Sequence, residues 1–139
     1  MKIITKELKF ATQGHTDILN VTDDVRQELK TAGLKQGVIF LFVVGSTAGI
    51  TTTEFEPGLE SDLKRFFEKI IPSRVSYAHD ETWGDANGFS HLRASLLKPS
   101  LTVPFVKGDL VLGTWQQIVL IDFDNRPRDR RLVVQLQGE

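Results

Sequence analysis

Seven consecutive apolar residues, Val38 to Val44, stand between Gly37 and Gly45. All but Leu41 are β-branched or aromatic, side chains that suit a pleated, packed surface better than a helix. The run is far shorter than the roughly 20 residues a membrane-spanning helix needs. It is therefore read as the central strand of a soluble fold, buried on both faces. The rest of the chain must supply the layers that cover it.

Lys2 to Phe10 alternates, with Ile4, Leu8 and Phe10 on one parity and Lys6 the exception, which predicts a half-buried strand. Ala11 to Gly14 reads as a turn and His15 to Val21 as a second short strand. Thr22 is placed to cap a helix over Asp23 to Ala32. Its hydroxyl can accept from an orphan N–H, Asp23 and Asp24 suit the positive end of the dipole, and Gly33 suits the stop. Ser46 to Gly49 reads as a turn that folds Ile50 to Glu56 back on the apolar run as a hairpin. Leu59, Leu63, Phe66, Phe67, Ile70 and Ile71 recur at helical spacing up to Pro72.

From Ser73 to Asn87 the periodicity disappears. Asn87 is placed to cap a third helix that runs to Leu97 and stops before Pro99. Strands are predicted over Ser100 to Lys107, Leu110 to Gly113, Gln116 to Asp124 and Leu132 to Gln137. Lys107-Gly108-Asp109 is a tight-turn signal, and the charged Asn125 to Arg131 reads as a loop at a hairpin tip. The order predicts a single α+β domain of mostly antiparallel sheet, sandwich or barrel-like, with about three helices.

At 139 residues one domain is the expectation. The absence of cysteine excludes disulfides and thiolate metal sites and fits a reducing compartment. The 17 basic and 18 acidic residues nearly cancel, giving no electrostatic footprint for nucleic acid or a membrane surface. No signal-peptide apolar core follows the early lysine. A cytoplasmic protein with neither a nucleic-acid nor a membrane partner is expected.

Function is expected in the polar segment from Tyr77 to His91. It holds two of the three histidines among Asp80, Glu81, Asp85 and Asn87. An imidazole beside a carboxylate, as in His79-Asp80, serves as acid, base or ligand. Read alone, His79 is more often a surface histidine. Asn87, His91 and Ser95 are spaced by four and share one face of the predicted helix. There the dipole would lower the pKa of His91 and favour its neutral form. Two histidines and a carboxylate are enough ligands for zinc, and carboxylates alone suit magnesium, but the spacing matches no standard zinc motif. Gly113-Thr114-Trp115-Gln116 could shape a pocket wall, or mark a bulge beside a core tryptophan. Gly45-Ser46-Thr47-Ala48-Gly49 lacks the spacing and lysine of a phosphate loop and reads as a turn. Among the arginines near the C-terminus, Arg131 borders the last apolar strand and is the one expected to hold an anion.

These residues resemble the YjbQ-like family, over nearly the whole chain. The likeness is carried by Ser46-Thr47-Ala48, Asp62 with Phe66-Phe67, Tyr77 with His79-Asp80, Ser90-His91 and Ser100-Leu101-Thr102-Val103-Pro104. Most specific is Lys107-Gly108 followed by Gly113-Thr114-Trp115-Gln116; Arg130-Arg131 and Leu136-Gln137-Gly138-Glu139 close it. The resemblance implies an α+β fold of antiparallel sheets, a homotrimer, and a pocket near the histidines at or near a subunit boundary. It implies a secondary thiamine-phosphate synthase activity, which joins a hydroxymethylpyrimidine diphosphate to a thiazole phosphate and releases pyrophosphate. Many members carry a histidine immediately before the Ser-Thr-Ala run, where this chain has Gly45. The three-histidine metal site of such members cannot be built here from those positions, and His15 lies in an earlier segment.

The leading expectation is thus a transferase acting on a small phosphorylated substrate. His79, Asp80 and His91 would do the chemistry. Tyr77, Asn87, Ser95, Thr114, Trp115, Gln116 and Arg131 would bind substrate, and His79 and His91 would hold a divalent metal (Mg²⁺ or Zn²⁺) if one is used. The rivals are a non-catalytic trimer that binds a small anion or metal, and a metal-dependent hydrolase.

Overall fold

A computed structural model describes residues 1–139. The chain folds as an α+β domain of eight strands and four helices. β1 (Lys2–Thr12), β8 (Arg128–Gly138), β3 (Gln36–Val44), β5 (Ser100–Val106) and β6 (Asp109–Leu110) form a five-stranded sheet in that order. β2 (Asp17–Asn20), β7 (Gln116–Asp122) and β4 (Ala48–Glu54) form a three-stranded sheet. Every strand pairing is antiparallel.

The molecule is layered. Ile39, Leu41 and Val43 of β3 and Leu132, Val134 and Leu136 of β8 share a core with Ile50 of β4 and Ile118 and Leu120 of β7. α1 (Thr22–Ala32) adds Val25 and Leu29 to it. The opposite face of β7 carries Val119 and Ile121, and Phe123 follows on the same parity. These meet Phe67 of α2 (Pro57–Ile70) and Ala94 of α4 (Gly88–Leu97). β7 is therefore the strand buried on both faces, because sheet lies on one side of it and helices on the other. β3 is central in its sheet but buried on one face; Phe40, Phe42 and Val44 point away from the core and are each more than a third exposed.

Other expectations also shift. β3 and β4 are not a hairpin: the chain changes sheets at Gly45, whose φ of +143° makes the corner. Thr22 opens α1 but does not cap it with its side chain. Its hydroxyl bonds Asn20 Oδ1 and accepts from the Ile118 N–H, tying α1 to β7. The irregular segment contains a short helix, α3 (Ala78–Trp83). Its Asp80 side chain accepts from the Tyr77 N–H, a capping box at the helix start. The predicted loop ending at Arg131 is shorter, since β8 already begins at Arg128. The predicted strand after the Lys107-Gly108 turn shrinks to Asp109–Leu110. No helix is long and apolar enough to cross a membrane.

Candidate functional site

Three connections pass between the two sheets at the same end of the molecule. β1 runs to β2 through Gln13 to Thr16, β3 to β4 through Gly45 to Thr47, and β7 to β8 through Phe123 to Pro127. Where a chain leaves one ladder for another, its backbone groups lose strand partners and side chains must replace them. Asp122 and Asp124, both fully buried, do this. Asp122 accepts from the Thr12 hydroxyl and from Arg130 Nε and Nη2 at 2.5, 2.6 and 2.8 Å. Asp124 accepts from Thr47 Oγ1, Arg128 Nε and Asn87 Nδ2 at 2.9, 2.8 and 3.3 Å. Burial alone would raise the Asp124 pKa. Hydrogen bonds from the Asn125 N–H, Thr47, Asn87 and Arg128 outweigh it and hold the carboxyl below the usual carboxylate range.

Over this hub lies an open pocket of about 400 Å³, lined by Gly45, Ser46 and Thr47, by His79, Trp83 and Asp85, by Asn87 and His91, and by Arg128 and Arg130. α3 and α4 bring the histidines together, with ring centroids 4.4 Å apart. His79 Nε2 lies 3.7 Å from Asp85 Oδ1, too far for a hydrogen bond. Burial and the neighbouring His79 push the His91 pKa below the usual imidazole value, against the pull of Asp124, Asp85 and the Ser46 backbone. The neutral form expected from the sequence is favoured, and burial and a second imidazole are what favour it.

Arg128 and Arg130 give the pocket its cationic side. Each is anchored on a buried carboxylate through Nε, and Arg130 Nη2 also donates to Thr47. Arg130 Nη1 lies against Gly45, 2.6 Å from where a Cβ would stand. The guanidinium thus fills the space a side chain at position 45 would need.

The sequence-predicted residues divide. His79, His91 and Asn87 line one pocket, and Trp83 lies on its wall. Asn87 does not cap α4 with its side chain; the amide is spent on Asp124. Asp80 is drawn away from chemistry: its two oxygens accept from the Tyr77 and Gly88 N–H groups and join the starts of α3 and α4. The Tyr77 hydroxyl donates to the Pro72 carbonyl. Ser95 is exposed and its hydroxyl returns to the His91 carbonyl. Thr114, Trp115 and Gln116 lie at the far end of β7, where Gln116 bonds Thr52 and accepts from the Gly113 N–H, and Trp115 is 72% exposed. Within one chain they are not brought to the histidines. Arg131 points to the outer face and pairs with Glu7 at 2.9 Å; the arginines that reach the pocket are Arg128 and Arg130. His15 lines a different cavity, with Lys64 and Arg93.

The missed residues left a readable signal. Arg130 shares parity with Leu132, Val134 and Leu136, all buried, whereas Arg131 shares it with Val133, Gln135 and Gln137. Strand alternation alone assigns Arg130 inward. Asp122 and Asp124 likewise alternate with the apolar Ile121 and Phe123.

For a resident metal, two imidazoles are the strongest donors, and no group of three His, Asp or Glu side chains converges anywhere in the molecule. A zinc centre takes three or four protein ligands, and the two imidazoles of one chain fall short of that number.

The family model for UPF0047 YjbQ-like proteins matches residues 6–139. A UPF0047 protein of Methanothermobacter thermautotrophicus is 37% identical over 139 residues, the whole of this chain and 95% of the relative. A UPF0047 protein of Archaeoglobus fulgidus is 36% identical over 92% of this chain and 97% of its own. A crystal structure of a protein of unknown function from Sulfolobus solfataricus superposes with a TM-score of 0.92 at 30% identity, covering 99% of both chains. A hypothetical protein from Aeropyrum pernix gives 0.90 at 29% identity, over 98% of this chain and 99% of that one.

Proposed function

The chain belongs to the UPF0047, YjbQ-like family, and we propose that it binds a phosphorylated small molecule in the histidine pocket and acts as a transferase of the thiamine-phosphate synthase type. One observation carries this reading. A close histidine pair shares a pocket with two arginines whose outer N–H groups are not used inside the protein: Arg130 Nη1, and Arg128 beyond its Nε.

The chemistry asks mainly for charge stabilisation. The thiazole nitrogen attacks the methylene carbon of the pyrimidine, a C–N bond forms, the C–O bond to the diphosphate breaks, and pyrophosphate leaves with the electron pair. No proton has to leave the nucleophile. Guanidinium N–H groups match phosphate oxygens in geometry and charge, and donors fixed before reaction stabilise the departing charge. Arg128 and Arg130 are fixed by Asp124 and Asp122. Neutral His91 supplies a further N–H donor or a base, and Trp83, on the pocket wall, offers an aromatic face to a heterocycle. Purified protein, given both substrates and Mg²⁺, should form thiamine phosphate. Product no greater than with His91→Ala would sink the proposal.

A binding role without turnover is the second reading. It is favoured by the same ion pairs, which leave the pocket close to charge balance. Calorimetry showing tight binding of the diphosphate with no product would establish it. The hydrolase alternative needs a metal-bound water, for which this pocket offers two imidazoles; activity untouched by a chelator would count against it.

We also propose that the chain assembles as a homotrimer. Phe40, Phe42 and Val44 form an apolar stripe on the outer face of the five-stranded sheet, a surface that suits burial against another copy. The two phenylalanine rings stack at 6.4 Å.

A further inference from the structure

We propose that a second cavity, of about 320 Å³ and separate from the histidine pocket, binds a small, polar, singly charged carboxylate, such as a hydroxy acid, through Lys64 and His15. Part of its wall is backbone in a costly conformation. Gly14, His15 and Thr16 follow one another at φ +77°, +56° and +61°. That left-handed region suits glycine, and for a β-branched residue such as Thr16 it is an outlier. Gly14 is required there, because a Cβ would stand 2.6 Å from the carbonyl oxygens of both Asp124 and Arg126. His15 and Thr16 are held in place by bonds. The His15 N–H donates to the Asp124 carbonyl at 2.7 Å, and Arg93 Nη1 donates to Thr16 Oγ1 at 3.1 Å. Strain that the surroundings impose in this way clusters at ligand sites. Here it sets the exposed His15 on the cavity wall.

The charges of the lining define the ligand. Arg93 is buried and fully engaged: Nε and Nη2 donate to the Ile71 carbonyl, Nη1 to Thr16, and Nη2 also to Glu68 Oε2 at 2.8 Å. Arg65 pairs with Asp62. Lys64 is the one lining cation without a carboxylate partner. Hydrogen bonds from the Ser73 N–H, from Arg93 and from the Ser73 hydroxyl outweigh burial and hold the Glu68 carboxyl below the usual carboxylate range, so it stays an anion. One uncompensated cation calls for one negative charge on the ligand. A multiply charged anion such as pyrophosphate would set its excess charge against Glu68 and Asp62. Phe89 is the one apolar residue of the lining, so a hydroxylated body suits the cavity better than a fatty one. α4 serves both sites: it gives Asn87 and His91 to the histidine pocket and Phe89 and Arg93 to this cavity.

The test is NMR of the full chain titrated with lactate and with its neutral amide, lactamide. Lactate should shift the His15 ring protons and the Thr16 amide saturably, and lactamide should shift neither. Lys64 is exposed on α2, so Lys64→Gln leaves the core untouched. It should weaken lactate about tenfold, the effect of losing one charge-assisted hydrogen bond. Lys69→Gln, on the same helix but outside the lining, should leave lactate binding unchanged. His15→Gly suits the left-handed turn and removes the ring; it should weaken lactate as read at the Thr16 amide. Lactate that leaves His15 and Thr16 in place, or shifts only His79 and His91, would overturn the proposal. So would lactamide that binds as tightly as lactate, or a Lys64→Gln or His15→Gly protein that binds lactate as before.

Discussion

Gly45 and Arg130 divide one volume at the mouth of the pocket. With φ at +143° and Arg130 Nη1 2.6 Å from the site of a Cβ, Gly45→Ala should lower stability by about 1–3 kcal/mol. Urea unfolding checks this, and an unchanged midpoint would contradict it. The same geometry explains why restoring a histidine at this position would displace a guanidinium held by Asp122 and Thr47. His91 gives a second expectation. Its pKa is lowered first by burial and then by His79, so its ring protons should titrate below the usual value of about 6.5 in NMR spectra. His79→Gln should move that titration upward; a His91 titrating normally in the unaltered protein would contradict the packing described. The sign for stability follows. A depressed histidine binds its proton more weakly folded than unfolded, so its contribution is complete above the ordinary imidazole value and fades as pH falls through the lowered one. Asp124, also depressed, acts in the same direction at lower pH, its contribution fading as the solution passes below the ordinary carboxylate range.

Among the elements, parity decides more than composition. The strands, three of the four helices and their stops were legible, because hydrophobic period and proline or glycine punctuation are local properties. Whether β3 was buried on one face or two was not, since that depends on which layer lies opposite. An apolar outer stripe at Phe40 and Phe42 looks the same in sequence as a core one. The hairpin expected at Ser46 failed for a similar reason: a turn signal says that the chain turns, not which sheet it joins. Half of the site was legible in the clustering of His79, Asn87 and His91. The other half, Arg128, Arg130 and Asp124, was hidden by an alternation of charges that usually marks a solvated loop. β8 offers a direct contrast. Arg130→Ala leaves Asp122 buried without its partner and should cost about 3–5 kcal/mol, whereas Arg131→Ala, on the outer face, should leave the unfolding midpoint unchanged. Equal effects would refute the register. At the start of α3, Asp80→Ala removes acceptors for two N–H groups and should cost about 0.5–2 kcal/mol. Faster amide exchange at Tyr77 and Gly88 is the check, and unaltered exchange would remove Asp80 from its capping role.

At the scale of the molecule, the two sheets exchange strands at one end, and the polar hub that repairs those crossings also floors the pocket. The arginines and aspartates that hold the crossings together are therefore also those on which the proposed ligand binding rests. The outer apolar stripe bears on assembly. Sedimentation should give about three times the 15.6 kDa chain mass, and Phe42→Glu should reduce it toward one; an unaltered protein sedimenting as one chain would contradict the trimer. The claim that matters most is that the ligand pocket is the one formed by His79, His91, Arg128 and Arg130. The chain has three histidines, and His15 lies in another cavity, so each imidazole reports on its own site. Titration with inorganic pyrophosphate, followed by NMR of the histidine ring protons, should shift His79 and His91 saturably, leave His15 in place, and lose the effect in Arg128→Ala. Shifts confined to His15, or none at all, would contradict it.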